Sequence, residues 1–470
     1  MKKSKFSIFT LFMVLCIVAV NAAPINTDRA IRVAQNFYSH QTNESIQNIH
    51  FTFQLSASRN TDVSLYVINI NNGFVIVSGD DRVMPVLGYS DQGNFDVHNC
   101  PEQMMELLHS YRDAVEAITA HVDKADASLA ERWNNIENNL WHHELRGTTA
   151  VEPLLSNNNW QQNNGYNYYC PADANGPAGK AYVGCVALAM GQVMHYWQHP
   201  TKGTGSHTYE CNHSSSQAGN YPDYGTLSAN FGNTTYNFSL MPNYLDGSTP
   251  SNQILAIAKL LYHCGVAVDM YYGPQGSMAF HSDIAEAMEQ YFKYDSCETH
   301  WQSSYNGDWD ALLKSDLDAG RPIIYCAYAS EGGHEFVCDG YNDQNYFHFN
   351  MGWGGLYNGY YLTSNLNAQY NFNSSHGTVS HIQPKSDVGV AEHLLNAPVI
   401  YPNPATNQIC VEADNMQRVT LLDLTGRTLI EMPAYGETLT LPVPNVAPGT
   451  YILRIHYRDN RRSEAKIMIQ

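Results

Sequence analysis

The chain has 470 residues, 44% hydrophobic, 12% aromatic and only 15% charged, with 32 tyrosines; at roughly 150 residues per domain this suits about three packed domains and excludes a disordered polymer. Its formal net charge of −19 argues against nucleic acid as a partner, because neutralising phosphates takes clustered Lys and Arg. The longest basic cluster is Arg461-Arg462, and residues 401–470 hold 7 basic and 7 acidic residues, so the acidity belongs to the first 400.

Residues 1–22 carry Lys2, Lys3 and Lys5, then an apolar run from Phe9 to Val20, then small residues. This is the pattern of a secretory signal peptide, too short to span a bilayer. Cleavage is expected after Ala22, since Pro24 would hinder cleavage after Ala23. No other stretch approaches about 18 apolar residues, so no transmembrane segment is expected. Nine cysteines remain beyond Cys16, at 100, 170, 185, 211, 264, 297, 326, 338 and 410, with no close CxxC pair. That spacing fits neither a zinc knuckle nor a small disulfide scaffold, and an odd count in an exported chain hints at one free thiol.

Residues 23–147 read as an α+β unit. Residues 63–70 and 74–77 alternate as strands around the turn Asn71-Asn72-Gly73. From Pro101 to Trp141 the period becomes helical, with Met105, Leu108, Tyr111 and Val115 on one face. The polar stretch Arg146-Gly147-Thr148-Thr149 is a linker candidate. Residues 148–390 are rich in Gly, Asn, Tyr and Trp, with helices expected at 186–197, 251–264 and 308–318 and strands near 322–328, 334–339, 345–350 and 359–362. Residues 391–470 show short alternating strands broken by Gly426, Gly436 and Pro448-Gly449, the pattern of a small β-sandwich.

Within the middle segment, Val183-Gly184-Cys185-Val186-Ala187 sets a cysteine directly before an apolar, Ala-rich helix that stops at Pro200. A thiol at a helix N-terminus feels the positive end of the dipole, which favours the thiolate. A lone cysteine would more simply be a small core residue, but Gly332-Gly333-His334-Glu335-Phe336-Val337 places a histidine 149 residues downstream, within the ~130–150 separation of papain-type Cys and His. Asn350 follows 16 residues later; its side-chain oxygen would hold the imidazole in one orientation, completing a Cys-His-Asn set. Trp353 would screen that bond from water. For an oxyanion the donors would be the backbone N–H of Cys185 and the amide of Gln162, with Gln161 nearly as good on the residues alone.

These residues together resemble the streptopain-type cysteine peptidases. Gly184-Cys185-Val186-Ala187 through Tyr196 and Pro200 is similar to their nucleophile helix, residues 333–340 to their histidine strand, Asn350 to Gly355 to their Asn-x-Gly-Trp-Gly-Gly turn, Tyr271-Tyr272-Gly273-Pro274 with Ser277 to their substrate-cleft loop, and Trp160-x-Gln162 to their oxyanion glutamine. The match covers residues 150–370. It departs at Met351, where the family has a Trp. The resemblance implies an α+β, papain-like catalytic domain, an inhibitory prodomain (residues 23–147), and endopeptidase activity favouring a hydrophobic residue two positions before the cut. Cys185, His334, Asn350 and Gln162 are then the catalytic set, Gly333, Ser277 and Trp353 line the substrate cleft, and protein or peptide substrates are the partners, with neither metal nor cofactor expected.

The tail resembles a second family, the C-terminal sorting domains of the type IX secretion system. The matching residues are Tyr401-Pro402-Asn403-Pro404, Leu424-Thr425-Gly426-Arg427, Gly449-Thr450-Tyr451 and Lys466 to Gln470. This implies passage through the periplasm of a Bacteroidetes-like, Gram-negative bacterium to its surface or beyond, with the type IX machinery as partner. Three other readings fit less well. A metal hydrolase lacks its signature: His195 and His199 stand i, i+4 without an intervening Glu, and His142-His143-Glu144 lacks the second His of HExxH. A non-catalytic adhesin is disfavoured by the intact Cys, His, Asn and Gln, and a Cys-His acyltransferase by Asn350, where such enzymes usually orient the His with Asp.

Overall fold

The computed structural model describes residues 24–140, 151–155, 157–212, 221–329, 332–364, 366–367, 375–385, 398–413, 416–423, 427–458 and 462–470. The signal sequence, the linker candidate, the domain borders at 147/148 and 390/391, and Leu424-Thr425-Gly426 lie outside them. The chain divides into two compact units, residues 1–385 and 386–470.

The first unit opens with helix α1, Thr27–Thr42. Asn26 caps it by accepting from the Arg29 N–H at 2.9 Å, and Ala30, Val33, Ala34 and Phe37 bury one face. An antiparallel meander follows: β1 (Ile49–Ser56), β2 (Val63–Ile70), β3 (Gly73–Ser78) and β4 (Val86–Ser90). The single helical period expected from Pro101 to Trp141 resolves into two helices, α2 (Glu102–His121) and α3 (Ala127–Glu137), parted by a short break that Asp126 ends by capping α3. Met104, Leu108, Tyr111, Val115 and Ile118 form the buried stripe of α2.

The rest of this unit contains α4 (Cys185–Trp197), β5 (His207–Asn212), β6 (Asp223–Ala229), α5 (Ser251–Ala267), α6 (Ile284–Phe292), β7 (Tyr294–Asp295), β8 (Glu298–Trp301), α7 (Trp309–Asp318), β9 (Ile323–Ala329), β10 (Gly332–Tyr341), β11 (Phe347–Asn350), β12 (Gly359–Tyr361), β13 (Ser375–Ser380) and β14 (Gln383–Pro384). The expected helices and strands of this segment are present within one to three residues at each end.

Not foreseen is that one antiparallel sheet of ten strands crosses both segments, in the order β1-β2-β3-β4-β12-β11-β10-β9-β13-β8. The join is β4 on β12, where Tyr89 faces Tyr360 and Gly88 faces Tyr361. Side chains reinforce it. Tyr111 Oη donates to the Leu362 carbonyl at 2.8 Å, Tyr346 Oη to the Val86 carbonyl at 2.8 Å, and Ser90 Oγ to the Asn358 carbonyl at 2.6 Å. Tyr111, Tyr346 and Phe37 belong to one continuous core that spans the join. A second core lies beneath α4 and α5, around Trp160, Met190, Leu261 and Val337.

The second unit is the expected β-sandwich. Strands β15 (Val399–Tyr401), β16 (Gln408–Glu412) and β19 (Thr438–Pro442) form one sheet; β18 (Thr428–Pro433), β17 (Met416–Leu422), β20 (Gly449–Tyr457) and β21 (Arg462–Ile469) form the other. Ile409, Val411, Val419, Leu421, Leu441, Leu453, Ile455 and Ile467 fill the space between them, mostly at alternate positions, as a two-sided strand requires. Among the described residues no helix is long and apolar enough to cross a membrane.

Candidate active site

Gly184 turns the chain into α4 with φ +89, a conformation that disfavours any side chain. A Cβ there would also fall 2.7 Å from Met270 Sδ. The next residue, Cys185, therefore begins the helix, half buried, with the backbone N–H groups of Glu335, Val186 and Cys185 itself favouring its thiolate. Burial outweighs them: desolvation first, and the Glu335 charge second, push the thiol up to about 11.

His334 lies near the start of β10 and is buried. Its Nε2 is hydrogen-bonded to the Met351 carbonyl at 2.8 Å, and its ring stacks on the Trp353 indole at 4.5 Å and 13°. Burial depresses its pKa to about 4, the Met351 carbonyl opposing that only in part. Both shifts favour the uncharged forms, and no hydrogen bond joins the two groups among the described residues. The thiolate favoured by the sequence argument is opposed in this arrangement by desolvation of the thiol.

Asn350 closes β11, but its amide makes no hydrogen bond to the imidazole among the described residues. Nδ2 donates to the Asn158 carbonyl at 2.6 Å, while Oδ1 accepts from Gln192 Nε2 at 3.0 Å and the Gly352 N–H at 3.1 Å. The residue that orients His334 here is Met351, through its main chain, and Asn350 instead ties the 350–355 turn to α4 and to the 158–162 segment. Asn158 extends the network, accepting from Gln192 at 3.1 Å and facing His195 Nδ1 at 3.2 Å. Met351 O, Asn158 and Gln192 escaped the sequence argument. A main-chain acceptor has no signature, and a Gln inside an apolar helix was the one available cue.

The Gln162 carbonyl accepts from the Val183 N–H at 3.1 Å, which lays its segment alongside the approach to Cys185; its amide makes no hydrogen bond among the described residues. Gln161 lies instead against Gly354, where an added Cβ would be 3.7 Å from the Gln161 amide carbon. Ser277 is buried and its hydroxyl is occupied, donating to the Tyr182 carbonyl at 2.7 Å and accepting from the Gly273 N–H at 3.0 Å. It shapes the 271–278 loop. Gly333 pairs with Tyr328 on β9.

Helix α2 lies over the His334 side of the site. Gln103, Met104, Glu106, Leu107 and Ser110 meet Ala327, His334, Phe336, Met351 and Trp353 around a cavity of about 20 Å³. That is room for about one water, not for a peptide.

Three family models match in succession: Spi protease inhibitor over residues 22–115, Peptidase C10 family over 160–361, and Secretion system C-terminal sorting domain over 399–470. Streptopain of Streptococcus pyogenes is 32% identical over 317 residues, covering 65% of this chain and 75% of streptopain. The chain belongs to the peptidase C10 family. It is also 27% identical over 402 residues to the thiol protease/hemagglutinin PrtT of Porphyromonas gingivalis, spanning 83% of this C10 chain but only 45% of PrtT. A fragment of prointerpain A from Prevotella intermedia, solved as a cysteine-to-alanine mutant, superimposes with a TM-score of 0.57 at 27% identity, covering 73% of this chain and all of the fragment. The segment that carries α2 and joins the sheet of this C10 peptidase is thus the one that matches an inhibitor.

Proposed function

We propose that the chain is the precursor of a secreted cysteine endopeptidase, with residues 23–147 as inhibitory prodomain, 148–390 as catalytic domain and 391–470 as a type IX sorting domain. The observation that carries this reading is the placement of α2 across the His334 side of a site whose cysteine begins a helix. Cys185 attacks the scissile carbonyl as thiolate. The oxyanion is held by the Cys185 N–H and the Gln162 amide. With Nε2 bound to the Met351 carbonyl, Nδ1 of His334 is the nitrogen left to take the thiol proton and return it to the leaving amine; a water activated by the same nitrogen then cleaves the thioester. Release of α2 would hydrate the site, lowering the cost of the thiolate and the imidazolium together. Substrates with a hydrophobic residue two positions before the cut are expected to be preferred, bound between the 271–278 loop and the 350–355 turn with Gly333 and Trp353.

The test is casein hydrolysis by the trimmed enzyme. Cys185→Ala and His334→Ala should each abolish turnover while leaving the circular dichroism unchanged. Casein cleavage by folded Cys185→Ala protein would overturn the assignment and favour a different nucleophile.

A further inference from the structure

Beside the nucleophile is a second cluster that the peptidase mechanism does not use. Glu335 and Cys326 are cross-strand partners on β10 and β9, and His281, from the turn before α6, reaches the same place. One ligand atom from each of the three lies within 4.8 Å of the others, and all three residues are buried. His281 Nδ1 is 3.0 and 3.2 Å from the two Glu335 oxygens, and the Cys326 sulfur lies within 4.8 Å of both ligand groups. The other imidazole nitrogen, Nε2, is buried without a hydrogen-bond partner. Nδ1 is the imidazole nitrogen that shares one small space with the Glu335 carboxyl and the Cys326 sulfur, and it is the one that would meet an ion there.

The neighbouring residues shape this space. Next to Cys326 in the sheet stands Gly377 on β13, where a Cβ would fall 2.8 Å from Cys326 Sγ and 3.0 Å from the Trp301 ring. Without it, Trp301 lies over the row and meets the His281 ring edge-on at 5.1 Å.

We propose that His281, Cys326 and Glu335 form a binding site for a borderline divalent cation of the zinc class. One nitrogen, one sulfur and one oxygen are donors that class accepts at tetrahedral centres, with a fourth position left for water or a neighbouring group. Charge balances. Held by a thiolate, a carboxylate and a neutral imidazole, a 2+ ion leaves the buried group neutral, the protons it displaces passing to solvent, and so avoids the cost of an uncompensated ion. The ligands come from three separate elements, so the ion would tie β9, β10 and the 281 turn together beside the nucleophile. The sequence gives little warning, because the ligands are spread over 55 residues with none of the short spacings of a zinc motif.

The experiment uses the full-length chain carrying Cys185→Ala, which removes the catalytic thiol as a competing ligand, produced in cobalt-supplemented medium and dialysed against metal-free buffer. The expected result is one cobalt per chain with an intense near-ultraviolet thiolate-to-metal band, and loss of both in Cys326→Ala and in Glu335→Ala. Either variant suffices if the other fails to fold. Absence of stoichiometric cobalt or of the thiolate band in the parent overturns the proposal, as does retention of both in a folded variant.

Discussion

Desolvation of the Cys185 thiol in the chain that retains residues 23–147 has a measurable consequence. With its pKa pushed up to about 11, roughly one thiol in 10³ is ionised at pH 8, against about one in ten for an unperturbed thiol at 9.0. Alkylation proceeds through the thiolate. Iodoacetamide should therefore label Cys185 in the precursor about 10²-fold more slowly than a free cysteine at pH 8, with a rate that climbs roughly tenfold per pH unit until about pH 11. The sign follows from burial: the fold holds the proton on sulfur, so the reactive form appears only at high pH. Removing residues 23–147 should reverse this, giving rapid labelling that is already level near neutrality as His334 takes the proton. Freshly isolated precursor and trimmed enzyme would be pulsed with reagent at each pH, and the Cys185 peptide read by mass spectrometry. Equal rates for the two forms, or a precursor profile already flat at pH 7, would refute the reasoning.

Three further outcomes are expected. Tyr111→Phe removes the donor to the Leu362 carbonyl and should cost the Cys185→Ala precursor about 1–3 kcal/mol, read by denaturant titration; an unchanged midpoint would mean that contact contributes nothing. Gln162→Ala should lower kcat of the trimmed enzyme about 10²–10³-fold while Gln161→Ala does not, and the opposite pattern would move the oxyanion donor one residue back. Deleting residues 386–470 should leave casein hydrolysis intact in lysates but hold the enzyme in the periplasm; active enzyme in the medium would rule out the sorting role, whereas lost activity would make the sandwich a structural prop.

Much of the site was readable because its signals are local. A glycine and a cysteine before an apolar run ending at Pro200 announce α4, and two glycines before a histidine on an apolar strand announce β10. The break between α2 and α3 was not legible, since the helical period from Pro101 to Trp141 reads as one helix. What the Asn350 side chain binds is a different matter. Its distance from His334 in the chain suited the orienting role, but the choice between the imidazole and Asn158 with Gln192 is made by packing that no single sequence displays. The β4–β12 pairing is the extreme case, joining residues about 270 apart, and a strand carries no mark of its partner.

That pairing bears on what is left when the first segment is cut away. In the full-length chain β12 is an interior strand, with hydrogen bonds to β11 on one side and β4 on the other. Excision would strip one side and turn β12 into the rim of a six-stranded sheet, with backbone donors and acceptors facing water. Such a rim is a template for any extended peptide of suitable sequence. Two features would limit the hazard: β12 is only three residues long, and the aromatic rings of Tyr360 and Tyr361 crowd it. The liberated enzyme would thus carry an imprint of its former partner, and a short peptide copying residues 86–90 should bind there in preference to the cleft.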